Sequence, residues 1–397
     1  MNVLTFGGDY WDGPRHNRHY FLEELGRHER VLFASPPFHL ARLIERKGPL
    51  YPSGVRRIND GLVNYTPSKW LFENHRSPWL NAKMKAARLR RIEALMRQYG
   101  VTDPVLLIWH PQYRDMIGRF GERLVIYYAY DQYTGYTGGD AKASPAEIEL
   151  MERADLVFAL SRELAADKRR YLSEPDKVVH LANAANYDMF STSRAPETVI
   201  PADLAALPGP RLGYIGTMNE KVNLPVLEAL ADRREWTIAL VGRENYKVPE
   251  EKARFLALAA RPNVHWFGHR PFDLVPAYIK GLDVCMMCYV INNWTFYGDP
   301  SKLHEYLASG KPTIGTGLPS IREFADVVQI PETPQEWVAA ADRALQERDP
   351  ALPARRIETA KQNSYQARIE RFRAVVDEAL LRKGAAPAAA AAHGGRT

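Results

Sequence analysis

The chain has 397 residues, of which 46% are hydrophobic and 25% charged, with a formal net charge of +6 at pH 7. That is an ordinary globular composition, long enough for two core-forming domains. It contains no apolar run of about eighteen residues, which excludes a membrane-spanning helix.

Asn2–Phe6 is a short apolar run without the basic start of a signal peptide, and it reads as a first strand. It stops at Gly7-Gly8, and a helix over Arg15–Leu25 and a second strand over Arg30–Ala34 follow. This is the opening of a doubly wound α/β domain, although Gly8–Pro14 is not the G-x-G-x-x-G dinucleotide fingerprint. Loops after such strands sit where ligands bind, so Asp9, Arg15 and Arg18 are candidates for an acceptor side. The alternatives are turn chemistry for Asp9 and helix surface for the arginines.

Residues 35–100 are less regular, with one strand expected over Val63–Pro67. Trp70, Phe72 and Trp79 precede a basic helix over Ala82–Tyr99, with Lys83, Lys85, Arg88, Arg90, Arg91 and Arg97 opposite Met84, Leu89, Ile92, Leu95 and Met96. Residues 69–97 suit an anionic membrane surface, or else a core helix whose outer face is basic. No nucleic-acid motif accompanies the patch, so nucleic acid is not expected.

Strands over Val105–Trp109 and Leu124–Tyr128 end at His110 and near Asp131. Asp131 lies amid Tyr127, Tyr128, Tyr130, Tyr133 and Tyr136. A carboxylate at a sheet's carboxyl edge, partly desolvated by aromatics, suits a base towards a sugar hydroxyl. It also suits a helix cap. His110 and Asp9 are the next candidates for the base. Asp131-Gln132-Tyr133 is not D-x-D, so no divalent metal is expected.

Helices over Glu147–Arg153 and Arg162–Tyr171 alternate with strands over Leu156–Leu160 and Val178–Leu181, and Asn183-Ala184-Ala185-Asn186 follows. A Pro/Ser/Thr/Ala-rich stretch then reads as a linker. The expected division is a first domain over 1–195, a linker over 196–210 and a second domain over 211–352. A crossing helix over 353–383 and a disordered tail over 384–397 complete it.

In the second domain, Arg211–Ile215 is a strand stopping at Gly216-Thr217, where a missing side chain lets backbone N–H groups approach a phosphate. Lys221 follows in the same loop. Further strands are expected over Trp236–Val241, ending at Gly242-Arg243, over Val264–Phe267, before His269-Arg270, and over Val284–Tyr289. Helices are expected over Leu224–Arg233 and Leu274–Ile279. The only cysteines, Cys285 and Cys288, lie in an apolar run without a second ligand pair, so they read as buried thiols of a reducing cytoplasm. Asn292, Asn293, Trp294 and Tyr297 form a polar loop suited to a sugar. Beyond it come a strand over Val327–Ile330, a helix over Pro334–Leu345 and one helix over Pro353–Arg382.

The most telling stretch is Pro300–Thr316. Leu303, Tyr306 and Leu307 make the apolar stripe of a short helix that Gly310 ends and Pro312 blocks. Ser301 and Lys302 sit at its mouth, where anions are favoured, and Glu305 lies one turn in, able to accept from two ribose hydroxyls. The set suits a nucleoside diphosphate; the alternative is an ordinary amphipathic helix.

Pro300–Pro312 reads P-x-K-x-x-E-Y-x-A-x-G-K-P and resembles the donor-binding segment of GT-B glycosyltransferases. The resemblance extends over most of the C-terminal half. It implies two Rossmann-like domains across a cleft, with a C-terminal helix crossing back to the first. It implies that Glu305 binds the donor ribose and that Ser301 and Lys302 meet the diphosphate. Gly216, Thr217, Lys221 and Arg243 would assist there, with His269 or Arg270 near the base and Tyr297 near the sugar. The Asp131 segment resembles that of bacterial polysaccharide glycosyltransferases, where an Asp of this loop is the base. Many retaining members carry a Glu eight positions before the ribose Glu, and this chain has Tyr297 there. With Asp131 as base, inversion is favoured.

The implied activity is metal-independent sugar transfer from a nucleotide sugar to a hydroxyl of a carbohydrate or lipid-linked acceptor in cell-surface polysaccharide or glycolipid synthesis. The implied place is the cytoplasm, at the inner face of the membrane. No cofactor is expected beyond the donor. A nucleotide-sugar epimerase on the same scaffold and a non-catalytic sugar-nucleotide-binding protein are the alternatives.

Overall fold

The computed structural model describes residues 1–40, 51–74, 76–132 and 142–385. Tyr133 and Tyr136, and most of the expected tail, lie outside the described residues. Among those described, strands β1 (Asn2–Phe6), β2 (Arg30–Ala34), β3 (Gly54–Arg57), β4 (Leu62–Thr66), β5 (Val105–Ile108), β6 (Leu124–Ala129), β7 (Leu156–Ala159) and β8 (Val178–His180) form one sheet in the order β3-β4-β2-β1-β5-β6-β7-β8. A second sheet comprises β9 (Arg211–Ile215), β10 (Thr237–Val241), β11 (Val264–Gly268), β12 (Val284–Met287) and β13 (Thr313–Gly315), in the order β11-β10-β9-β12-β13.

All pairings are parallel except β3 with β4. The inner strands are continuous apolar runs because helices cover both faces: β5, β6 and β12 are buried at every residue. The antiparallel β3 went unread in the sequence. Gly54-Val55-Arg56-Arg57 carries one apolar residue and lies at an edge, where charge blunts pairing.

Order reverses between β2 and β5 around β1, and between β10 and β12 around β9. Crevices open at such points, at the carboxyl ends of the strands. The two sheets therefore offer the loops after β1 and β9 to a shared cleft.

Two readings need correction, and one helix went unread. Residues Val327–Ile330 are not a strand: Gln329 makes only a bridge to Ile314. The C-terminal helix is two helices, Ala351–Gln362 and Tyr365–Ala385, broken at Asn363. The reason is local. Tyr365 N–H donates to Ala185 O at 3.1 Å and Ala185 N–H to Asn363 O at 3.2 Å, so the chain crosses between domains at the break. The helix Pro249–Ala259, which the sequence reading left unassigned, opens on Pro249 and buries Phe255 and Leu258.

The last helix lies on the first domain. Ile369, Phe372 and Val376 join a core with Val3, Phe21 and Phe158. The Phe372 ring packs edge-on against Phe21 at 5.2 Å. Arg373 binds Glu29 at 2.6 Å.

Candidate functional site

The cleft holds two adjoining chambers. The larger, of about 560 Å³, is lined from the second domain by Gly216, Thr217, Arg243, His269, Arg270, Ser301, Lys302 and Glu305, and from the first by Arg15, Asn17 and Tyr20. The smaller, of about 260 Å³, is lined by Asp131, Asn183, Lys221, Trp294 and Asp299, among others. Asn17, Ser301 and Lys302 line both and so form the partition.

Backbone geometry builds the larger chamber. Gly242 has φ +145°, and a Cβ there would stand 1.9 Å from Gly216 O, so only glycine lets the β9 and β10 loops meet. A Cβ on Gly216 would be 3.0 Å from Lys302 Nζ, so the bare backbone there admits the ammonium. The helix Lys302–Leu307 is only six residues long and is anchored from beneath. Ile215 N–H donates to the buried Tyr306 hydroxyl at 2.8 Å, fixing the helix to the end of β9. On its cleft side the Ser301 hydroxyl donates to Glu305 Oε1 at 3.1 Å.

An aromatic wall is shared between the domains. The Tyr20 ring lies 5.5 Å from Phe272 and 5.8 Å from Tyr365, with the Arg15 guanidinium 4.5 Å from its centroid. In the smaller chamber Lys221 Nζ sits 4.0 Å over the Trp294 ring, a cation–π contact.

Electrostatics separates the groups. Burial raises the Asp131 pKa to about 6, against the attraction of Lys221. Burial pushes Lys302 down and Glu305 up, and each partly offsets the other. Arg270 is committed, binding Asp203 at 2.9 Å and the Tyr278 hydroxyl at 2.6 Å.

Against this geometry stand the comparisons. Residues 209–347 match the sequence family described as Glycosyl transferases group 1. TuaH of Bacillus subtilis (strain 168), provisionally assigned as a teichuronic acid biosynthesis glycosyltransferase, is 30% identical over 207 residues. That match covers 50% of this chain and 51% of TuaH, about half of each. Among solved structures, HepE of Anabaena in complex with UDP superposes with a TM-score of 0.66 at 14% identity, over 95% of this chain and 100% of that one. Sucrose-phosphate synthase of Thermosynechococcus elongatus gives 0.68 at 13% identity, over 96% and 100%. The fold is GT-B, and residues 209–347 are the part of the chain that resembles the group 1 glycosyltransferases.

The second domain thus brings Gly216, Thr217, Arg243, His269, Arg270, Ser301, Lys302 and Glu305 to one chamber, and Lys221 to the next. Tyr297 lies elsewhere: its carbonyl accepts from the Ser161 hydroxyl at 2.8 Å, and its ring packs on the first domain's core. In the first domain, Asp131 lines the smaller chamber, while Asp9 and His110 are not among the lining residues. Asp9 is ion-paired with Arg18 and lies 3.5 Å from His16 Nε2. His110 caps the turn Pro111–Met116, its Nδ1 accepting from Gln112 N–H at 3.3 Å, and burial lowers its pKa.

Sequence reasoning missed Asn17, Tyr20, Asn183, Asp299 and Tyr365. Asp299 is buried, its pKa raised to about 6 by that burial. It accepts from Asn183 N–H at 2.8 Å and so joins the domains beside the partition. Its place directly before Pro300 was the available signal. Tyr20 and Tyr365 carried none, because their partners come from other elements.

Outside the cleft, Cys285 and Cys288 are buried free thiols, raised to about 12 by burial. Among the described residues no helix is long and apolar enough to cross a membrane. The basic helix runs Pro78–Tyr99, and Arg88 departs from its expected outer face. Arg88 is buried and donates to Leu71 O and Phe72 O at 2.8 and 2.9 Å.

Proposed function

We propose that the chain transfers a sugar from a nucleoside diphosphate sugar, with UDP favoured, to a hydroxyl of a carbohydrate or lipid-linked acceptor in cell-surface polysaccharide synthesis. The observation that carries this is the pair of chambers divided by Ser301 and Lys302, with Glu305 on one side and Asp131 on the other. HepE, whose structure is known with UDP and with UDP-glucose, and TuaH, by its assignment, support the nucleotide and the polymer.

The nucleoside lies in the larger chamber. Its ribose hydroxyls donate to Glu305, and its diphosphate reaches Lys302 and Arg243. The sugar passes the partition into the smaller chamber, against Trp294. Asp131 takes the acceptor hydroxyl's proton as that oxygen attacks the anomeric carbon, and the bond from that carbon to the diphosphate oxygen breaks. The anomeric centre inverts. The leaving diphosphate's charge is held by Lys302 and Arg243, cations in place before the bond breaks. They do the work that a divalent ion does elsewhere, so chelation with EDTA should leave the rate unchanged.

A surface for the acceptor's membrane is supplied by the first domain. Trp70 and Trp79 are 72% and 67% exposed. Lys69 and Lys83 lie 5.4 and 3.9 Å from those rings. Exposed tryptophans among cations suit anionic lipid headgroups at the cytoplasmic face.

The test is incubation of the protein with labelled UDP-sugars and membranes. Label in lipid or polymer is expected. A changed free nucleotide sugar would instead indicate an epimerase, and binding without turnover a carrier.

A further inference from the structure

Beneath the smaller chamber lies a set of buried charges that the proposed chemistry does not use. Lys168 is 0% exposed. Its ammonium donates to Gln132 Oε1 at 2.6 Å and pairs with Glu147 at 3.0 Å. Gln132 Nε2 donates to Asp167 Oδ2 at 3.3 Å, and the Tyr127 hydroxyl to Glu147 Oε1 at 2.9 Å. Glu147, Asp167 and Gln132 are all buried. The set ties β6, which carries Tyr127, to the helices Pro145–Arg153 and Arg162–Arg169.

Buried ion clusters stabilise little, because desolvation offsets their attraction, and apolar residues of like volume often do better. What such a cluster does supply is one fixed arrangement. Here the arrangement ends one residue from the reacting group: Gln132 N–H donates to Asp131 Oδ1 at 2.8 Å.

We propose that Lys168 and Gln132 are positioning residues that hold the Asp131 carboxylate towards the acceptor hydroxyl. The proposal rests on Asp131 being the base. Lys168, with Glu147 and Asp167, grips the Gln132 side chain from below. That grip sets where the Gln132 N–H points, and the N–H sets the carboxylate. Other charged groups face Asp131: Lys221 from the loop after β9, and Asp299 and Lys302 across the chamber. Lys221 and, from the cluster, Lys168 both favour the charged carboxylate, and the cluster in addition sets its direction.

The test compares Q132M, K168M and D131N with the wild-type chain in kcat, UDP affinity, pH profile and thermal unfolding. Q132M removes both polar ends of the link while leaving Lys168 paired with Glu147. Its kcat should fall roughly ten- to a hundred-fold, the scale of a misplaced reacting group, with UDP affinity within about twofold of wild type. Q132M keeps the backbone N–H of residue 132 but releases its direction, which weakens its bond to the carboxylate, so the acid limb should move to higher pH. Q132E, which keeps an acceptor for Lys168, should recover part of kcat. Wild-type kcat and an unshifted profile in Q132M would overturn the proposal, as would loss of folding in both Q132M and K168M, which would assign the cluster to the core. D131N at wild-type rate would overturn the base itself, and with it the proposal. An inactive D131N beside a wild-type Q132M would remove the positioning role alone.

Discussion

Asp131 offers the sharpest test of the chemistry, through pH. Burial holds its carboxyl at about 6 in the folded chain. A base must be ionised, so kcat/KM should fall on acidification through that value. About ten-elevenths of the molecules carry the carboxylate at pH 7 and about one-eleventh at pH 5, a tenfold loss with unit slope on a logarithmic plot. Unfolding of the chain through Asp131 does not explain such a loss. Its pKa is raised on folding, so the ionised form costs stability above pH 6, and that cost is relieved as pH falls towards the ordinary carboxyl value. Lys221 attracts the carboxylate, so K221M should move the acid limb above 6. The assay is initial rates of labelled sugar transfer in constant-ionic-strength buffers, with circular dichroism at each pH to confirm the fold. D131N should lose about 10²- to 10⁴-fold in turnover while binding UDP normally. A rate flat from pH 5 to 7, or a fully active D131N, would refute the assignment.

Other predictions concern binding and stability. E305A should weaken UDP by about 1–3 kcal/mol, roughly 5- to 150-fold, by isothermal titration, and unchanged affinity would remove the ribose role. Y306F leaves the buried Ile215 N–H, now bonded to the hydroxyl at 2.8 Å, without an acceptor, so urea unfolding should show a loss of about 1–3 kcal/mol. His304 is buried with no hydrogen-bond partner on either ring nitrogen among the described residues, and burial lowers its pKa to about 3. Its neutral form is favoured on folding, so stability is lost as pH falls below the ordinary histidine value of 6.5, and H304L should raise Tm more at pH 5 than at pH 7.5. Replacing Trp70 and Trp79 together by alanine should weaken sedimentation with phosphatidylglycerol vesicles without altering UDP affinity; equal sedimentation would argue against the membrane face.

The sequence by itself determined the alternation of strands and helices, because parallel strands covered on both faces must be continuous apolar runs. β1, β2 and β9 occupy the very residues their pattern marks. The helix Lys302–Leu307 was legible as well, since Pro300, Lys302, Glu305 and Gly310 fall within one turn-and-stop pattern. Only the tertiary structure decided which of the candidates share a space. Asp131 and Lys302 are far apart in the chain, yet line one chamber, while Tyr297, three residues before Pro300, packs against the first domain's core. The aromatic wall of Tyr20, Phe272 and Tyr365 draws on three separate segments. A local pattern records the period and ends of an element, which arise from its own backbone. Whether two elements meet depends on how sheets twist and where the chain crosses back, and those follow from packing summed over the whole molecule.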